Sequence, residues 1–129
     1  MPERYEMLTK AFESLSIEPT EFGHVDHVGV AFLLLRKYDI LKATCVYCET
    51  INTIATRVGA ARIFNVTTTL AFLSIIAERL QSDDYVDAEA FIARNQDLIM
   101  QNPLKSHYSM KWLQSGQART RFLLPDLAA

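Results

Sequence analysis

Leu70-Ala-Phe-Leu-Ser-Ile-Ile-Ala77 is apolar on nearly every side of the helix its spacing describes. A helix with no polar face has to be covered by neighbours on most sides. The stretch therefore predicts a central helix over Val66 to Gln81, capped by Asn65, inside a molecule built of helices. The run Thr67-Thr68-Thr69 just before it is β-branched and disfavours helix locally, so tertiary packing has to override propensity there.

Moving outward, apolar residues keep recurring three and four apart, and no alternating run calls for a strand. A first helix is expected from about Glu3 to Leu15, with Tyr5, Leu8, Phe12 and Leu15 as its stripe. A second is expected from Glu21 to Lys37, capped by Thr20, with His24, His27, Val28, Ala31, Leu34 and Leu35 facing inward. Asp39 opens a third, Ile40 to Val58, and Gly59 ends it. Its inner face is read as Leu41, Cys45, Cys48, Ile51 or Asn52, Ala55 and Val58. Beyond the acidic turn at Ser82-Asp83-Asp84 comes a short helix, Val86 to Arg94. Asn102-Pro103 then breaks the chain, and Tyr108, Trp112, Leu113, Phe122 and Leu124 lie in a segment expected to wrap the core in short turns. The fold expected is all-α: one domain over residues 1–129, a compact antiparallel bundle of four main helices plus short C-terminal helices.

Composition narrows the function classes. A net charge of −2 over 129 residues and a pI near 5.9 leave no basic field for a nucleic acid. Apolar runs are interrupted well before the roughly 20 residues that span a bilayer. The opening Met-Pro-Glu-Arg-Tyr-Glu lacks the basic start and apolar run of a signal peptide. Two cysteines are too few for a secreted disulfide scaffold, which points to a reducing cytoplasm.

Three groups of residues carry chemistry. His24 and His27 stand three apart on one helix, close enough to share a divalent transition metal, as ligands on bundle helices do. The bland alternative is a hydrogen-bonded pair shaping the edge of the core. Cys45-Val46-Tyr47-Cys48 gives a His-x2-His-x17-Cys-x2-Cys arithmetic. Because the thiols fall mid-helix on an apolar face, core packing is the default for them, with thiol redox as the other reading. His107, beside Tyr108 and near Trp112, becomes a further ligand only if the chain end folds back over the second helix. Asp26 falls on another face, and Glu78-Arg79 reads as a solvated helix end.

Phe22-Gly-His24-Val-Asp-His27, then Phe64-Asn65-Val66-Thr67, then Tyr108-Ser109 and Leu124-Pro125-Asp126 occur in an order that resembles a family of small all-helical bacterial proteins. The resemblance covers about Phe22 to Asp126. It implies a site in which the His-x2-His is joined by the His and Glu of a Tyr-His-Glu-Thr segment opening a later helix. Asn65 and Val66 stand in those two places here, so the resemblance implies an ancestral site partly lost. The expected function is a small polar pocket around His24, His27, Asn65 and His107 that binds a metal ion or small molecule. Its rival is a non-catalytic module that pairs with itself, as a homodimer, or with another protein.

Overall fold

A computed structural model describes residues 4–61 and 64–127. In chain order its main elements are α1 (Arg4–Glu13), α2 (His24–Lys37), α3 (Ile40–Arg57) and α4 (Val66–Ser82). Four short helices follow: α5 (Ala88–Arg94), α6 (Asp97–Met100), α7 (Met110–Leu113) and α8 (Gly116–Thr120). Turns of 3₁₀ helix at Pro19–Glu21 and Pro103–Ser106 bend the connections. No strand occurs among the described residues, so the all-α expectation holds. None of the described helices is long and apolar enough to cross a membrane.

The caps explain most boundaries. Asp39, Asn65, Asp87, Ser109 and Ser115 each accept a backbone N–H from the first turn of α3, α4, α5, α7 and α8. That satisfies donors a helix start otherwise leaves orphaned. Gly59 takes a φ of +73° just past α3, the left-handed stop expected of it. The start of α2 departs from the expectation. Thr20 lies in the 3₁₀ turn, and Gly23 is the cap, its own N–H donating to Asp26 Oδ2 at 2.9 Å. Asp26 is buried and also accepts from Arg4 Nη1 at 2.7 Å, which ties α1 to this turn.

The central helix is α2, not α4. Seven of its fourteen residues are buried, including Val28, Val30, Phe32 and Leu34, and it packs on α1, α3, α4, α5 and α6. Glycine makes part of this possible. A Cβ placed on Gly29 would meet Tyr5 ring carbons at 2.3 Å, so α1 approaches α2 closely only because that atom is missing. By contrast Ser74 of α4 is exposed and much of its apolar middle is only half-buried.

The expected inner face of α3 holds only in part: half-buried Cys48 and Ile51 pack against the core, but its buried centre lies elsewhere. Ala43, Tyr47 and Thr50 are the buried residues, whereas Leu41 is 78% exposed and Val58 55%. The helix carries two apolar stripes on roughly opposite sides. The stripe that packs inward holds Tyr47, whose ring lies tilted against Phe12 with centroids 5.6 Å apart, and an aromatic buries far more area than a cysteine.

A second, smaller buried cluster of Ala71, Leu104, Tyr108 and Leu113 holds the C-terminal segment against α4. The fully buried Thr67 hydroxyl donates to the Arg121 carbonyl at 2.6 Å and accepts from Leu123 N–H at 3.0 Å. Tyr108 OH donates to the Leu123 carbonyl, Trp112 Nε1 to that of Leu124, and Ser109 Oγ to Asp126. The wrapping tail expected from its aromatics is thus fastened by hydrogen bonds as much as by apolar contact.

Candidate functional site

The first turn of α2 meets the middle of α3 and the start of α4 around a cavity of about 180 Å³. Its polar edge is His24, His27, Thr68 and Thr69, and its apolar wall is Ile51, Phe72 and the Tyr47 ring. The turn closed by Gly23 and Asp26 places the two imidazoles one helical turn apart, as their spacing predicts.

His27 is half-buried between aromatic rings, with Phe22 at 4.4 Å between centroids. Its Nδ1 lies 3.1 Å from the Tyr47 hydroxyl. Burial drives the His27 pKa down to about 4, and the neighbouring His24 pushes the same way against an upward pull from Asp26. The ring is therefore neutral at pH 7. Burial raises the Tyr47 pKa above its ordinary value, so the phenol keeps its proton and needs an acceptor. Where the phenol donates to His27 Nδ1, the imidazole hydrogen sits on Nε2.

His24 is exposed, and its Nε2 donates to the Leu98 carbonyl on α6 at 2.9 Å. Its ring stands edge-on to Phe72, 5.8 Å away. The Thr69 hydroxyl donates to the Asn65 carbonyl at 2.8 Å, but that of Thr68 has no partner among the described residues. The cavity edge thus offers one hydroxyl without a partner among the described residues and one neutral imidazole.

The other expected ligands are elsewhere. Asn65 caps α4, its Oδ1 accepting from Thr68 N–H at 2.8 Å and its Nδ2 donating to the Leu113 carbonyl at 2.6 Å. Both ends of its amide are thereby spent on structure. His107 is exposed and lines a wider, charge-rimmed cleft of about 590 Å³ with Glu78 and Lys105. Arg79 is not solvated as expected. It forms a two-pronged ion pair with Asp97 at 2.8 and 2.7 Å and also donates to Asn95.

Among the described residues, the donors around His24 and His27 fall short of a metal site's usual ligand set. Among the described residues no three His, Cys, Asp or Glu side chains come together as a metal-holding group. Nε2 of His24 is engaged with a backbone carbonyl, Val66 has no donor, and zinc or iron sites ordinarily want three or four protein ligands. The thiols do not join the histidines either. Cys45 is exposed rather than packed in the core, and Cys48 is half-buried with its pKa pushed up to about 11 by burial. A thiol held that strongly in its protonated form is a poor nucleophile.

Tyr47, Thr68 and Phe72 were not singled out from the sequence, although they shape this cavity. The available signal was the spacing Ala43, Tyr47, Thr50 and Ile54, a helical stripe obscured by the two cysteines on the opposite side. The motif pieces at the start of α4 and in the tail meet each other. Asn65, Thr67, Tyr108, Ser109 and Asp126 are members of the hydrogen-bonded clamp that fixes the tail to α4. No protein-family model, curated protein or solved structure matches the chain.

Proposed function

We propose that the protein binds a small, neutral, largely apolar molecule in the cavity between α2, α3 and α4, with His27 and Thr68 as its polar contacts. The observation that carries this reading is the pairing of a neutral imidazole, oriented by Tyr47, with an unpartnered Thr68 hydroxyl beside an apolar wall. A ligand site of a few polar groups on an apolar surface has that composition. At about 180 Å³ the cavity is below the roughly 300 Å³ at which pockets for drug-sized molecules begin. No lysine or arginine lines it and His27 stays uncharged, which disfavours an anion. The ordered motifs resembling small bacterial helical proteins support an ancestral site at the same two histidines. The loss of the His and Glu partners, at Asn65 and Val66, favours an organic ligand over a divalent transition metal.

The test is a titration with phenol and benzyl alcohol followed by the NMR shifts of His27 and Thr68. Saturable shifts there, weakened in Thr68→Val and abolished when Ile51→Trp fills the cavity, are expected. Shifts centred on His107 and Lys105, or binding indifferent to Ile51→Trp, would overturn the reading. Stoichiometric zinc binding lost in His24→Ala would replace it with a metal site.

A further inference from the structure

The stripe of α3 opposite its buried face carries an internal symmetry. Successive helical residues are about 100° apart, so Cys45 points away from the core that Ala43, Tyr47 and Thr50 enter. Around it, Lys42 and Glu49 fall on one flank, and Leu41 and Cys48 on the other. A groove of about 320 Å³ runs between α3 and the start of α4, walled by Cys45, Cys48, Phe64, Val66 and Leu70, with Glu49 at its edge. Leu41 itself is 78% exposed, a large apolar side chain one turn from an apolar groove that it does not occupy. Neither Lys42 nor Glu49 is in an ion pair with another described residue; Lys42 Nζ rests over the Tyr38 ring, 4.8 Å from its centroid.

We propose that this face pairs with a second copy of the chain, α3 against α3 in antiparallel, about a two-fold axis passing beside Cys45 and Val46. Lys42 and Glu49 are equally spaced in sequence on either side of that point. A two-fold axis there reverses the helix direction and keeps each flank on its own side. Lys42 of one copy then faces Glu49 of the other, twice. The same rotation lays Leu41 of each copy over the Cys48–Leu70 groove of the other. A single operation thus satisfies both the charges and the apolar knob, which is the self-complementarity an isologous interface requires. A heterologous partner would have to supply this pattern; a second copy already has it.

Size-exclusion chromatography with light scattering on the full chain tests the pairing. A dimer is expected, weakened about tenfold by Lys42→Glu or by Glu49→Lys and recovered when both are combined, because the reversed charges again face each other. Leu41→Asp is expected to give a monomer with unchanged far-UV circular dichroism, which separates lost pairing from lost folding. Near the axis the Cys45 thiols of the two copies come within disulfide reach. Air oxidation of Cys48→Ser protein with copper phenanthroline is therefore expected to link the dimer through Cys45, and Cys45→Ser to abolish the link. A protein monomeric at every concentration, or a dimer indifferent to Leu41→Asp and to the charge reversals, would overturn the proposal.

Discussion

The Tyr47 hydroxyl lies 3.1 Å from Nδ1 of His27, and burial keeps both groups uncharged. The phenol stays protonated, and the imidazole stays neutral with a pKa of about 4 against an ordinary 6.5. Between those values the unfolded chain binds more protons than the folded one. Stability from this group is thus fully present above pH 6.5 and lost as pH falls toward 4. The effect amounts to at most about 3 kcal/mol. Urea unfolding at pH 7 and pH 4.5 measures it. His27→Gln keeps a partner for Tyr47 without titrating, so it is expected to lose this share of the acid sensitivity; an unchanged difference between the two pH values would count against the assignment.

Gly29→Ala puts a methyl into the Tyr5 ring, where contacts would begin at 2.3 Å. Overpacking of this kind costs about 1–3 kcal/mol even though alanine is the better helix former. Thermal unfolding should show the loss, and the double variant with Tyr5→Leu should lose less than the two single effects combined. Strict additivity would mean that Tyr5 is not what the methyl meets.

Thr67→Val keeps the shape of the side chain and removes the hydroxyl shared by Arg121 and Leu123. The Arg121 carbonyl and the Leu123 N–H, on an exposed and a half-buried residue, lose their partner, which costs about 0.5–1.5 kcal/mol. Because both belong to the tail, hydrogen exchange should accelerate at Leu123 far more than within α2. Exchange that quickens uniformly would place the effect in global stability rather than in the clamp.

Cys45 and Cys48 should differ in reactivity. In dilute native protein, iodoacetamide is expected to modify exposed Cys45 first, while Cys48 reacts slowly because its thiol is held up to about 11. Mass spectrometry after brief exposure reads the order directly. Equal rates, or rapid reversible formation of a disulfide between the two, would restore the thiol-redox reading.

Much of the architecture was legible because it rests on local chemistry. Asp39, Asn65 and Gly59 mark helix ends through their own side chains or backbone freedom, and those ends were read correctly. Thr20 misled because an N-cap oxygen has no advantage where Asp26 reaches back to the Gly23 N–H instead. The histidine spacing put His24 and His27 at one cavity, but it could not reveal that Leu98, seventy-four residues away, takes up the His24 Nε2. Asn65 was seen both as a cap and as a ligand. Its amide is committed twice, and the second commitment, to Leu113, is a long-range contact.

The sequence by itself determined that this chain is helical, where α3 and α4 begin, and that two imidazoles share one turn. Period, capping and turn residues act over a few positions, so one chain suffices to read them. Tertiary structure alone decided which helix is central, which of α3's two apolar stripes is buried, and that Tyr47 rather than a cysteine faces His27. Those choices are competitions for burial between surfaces of similar hydrophobicity, settled by area and by hydrogen-bond partners that only the packed elements bring together.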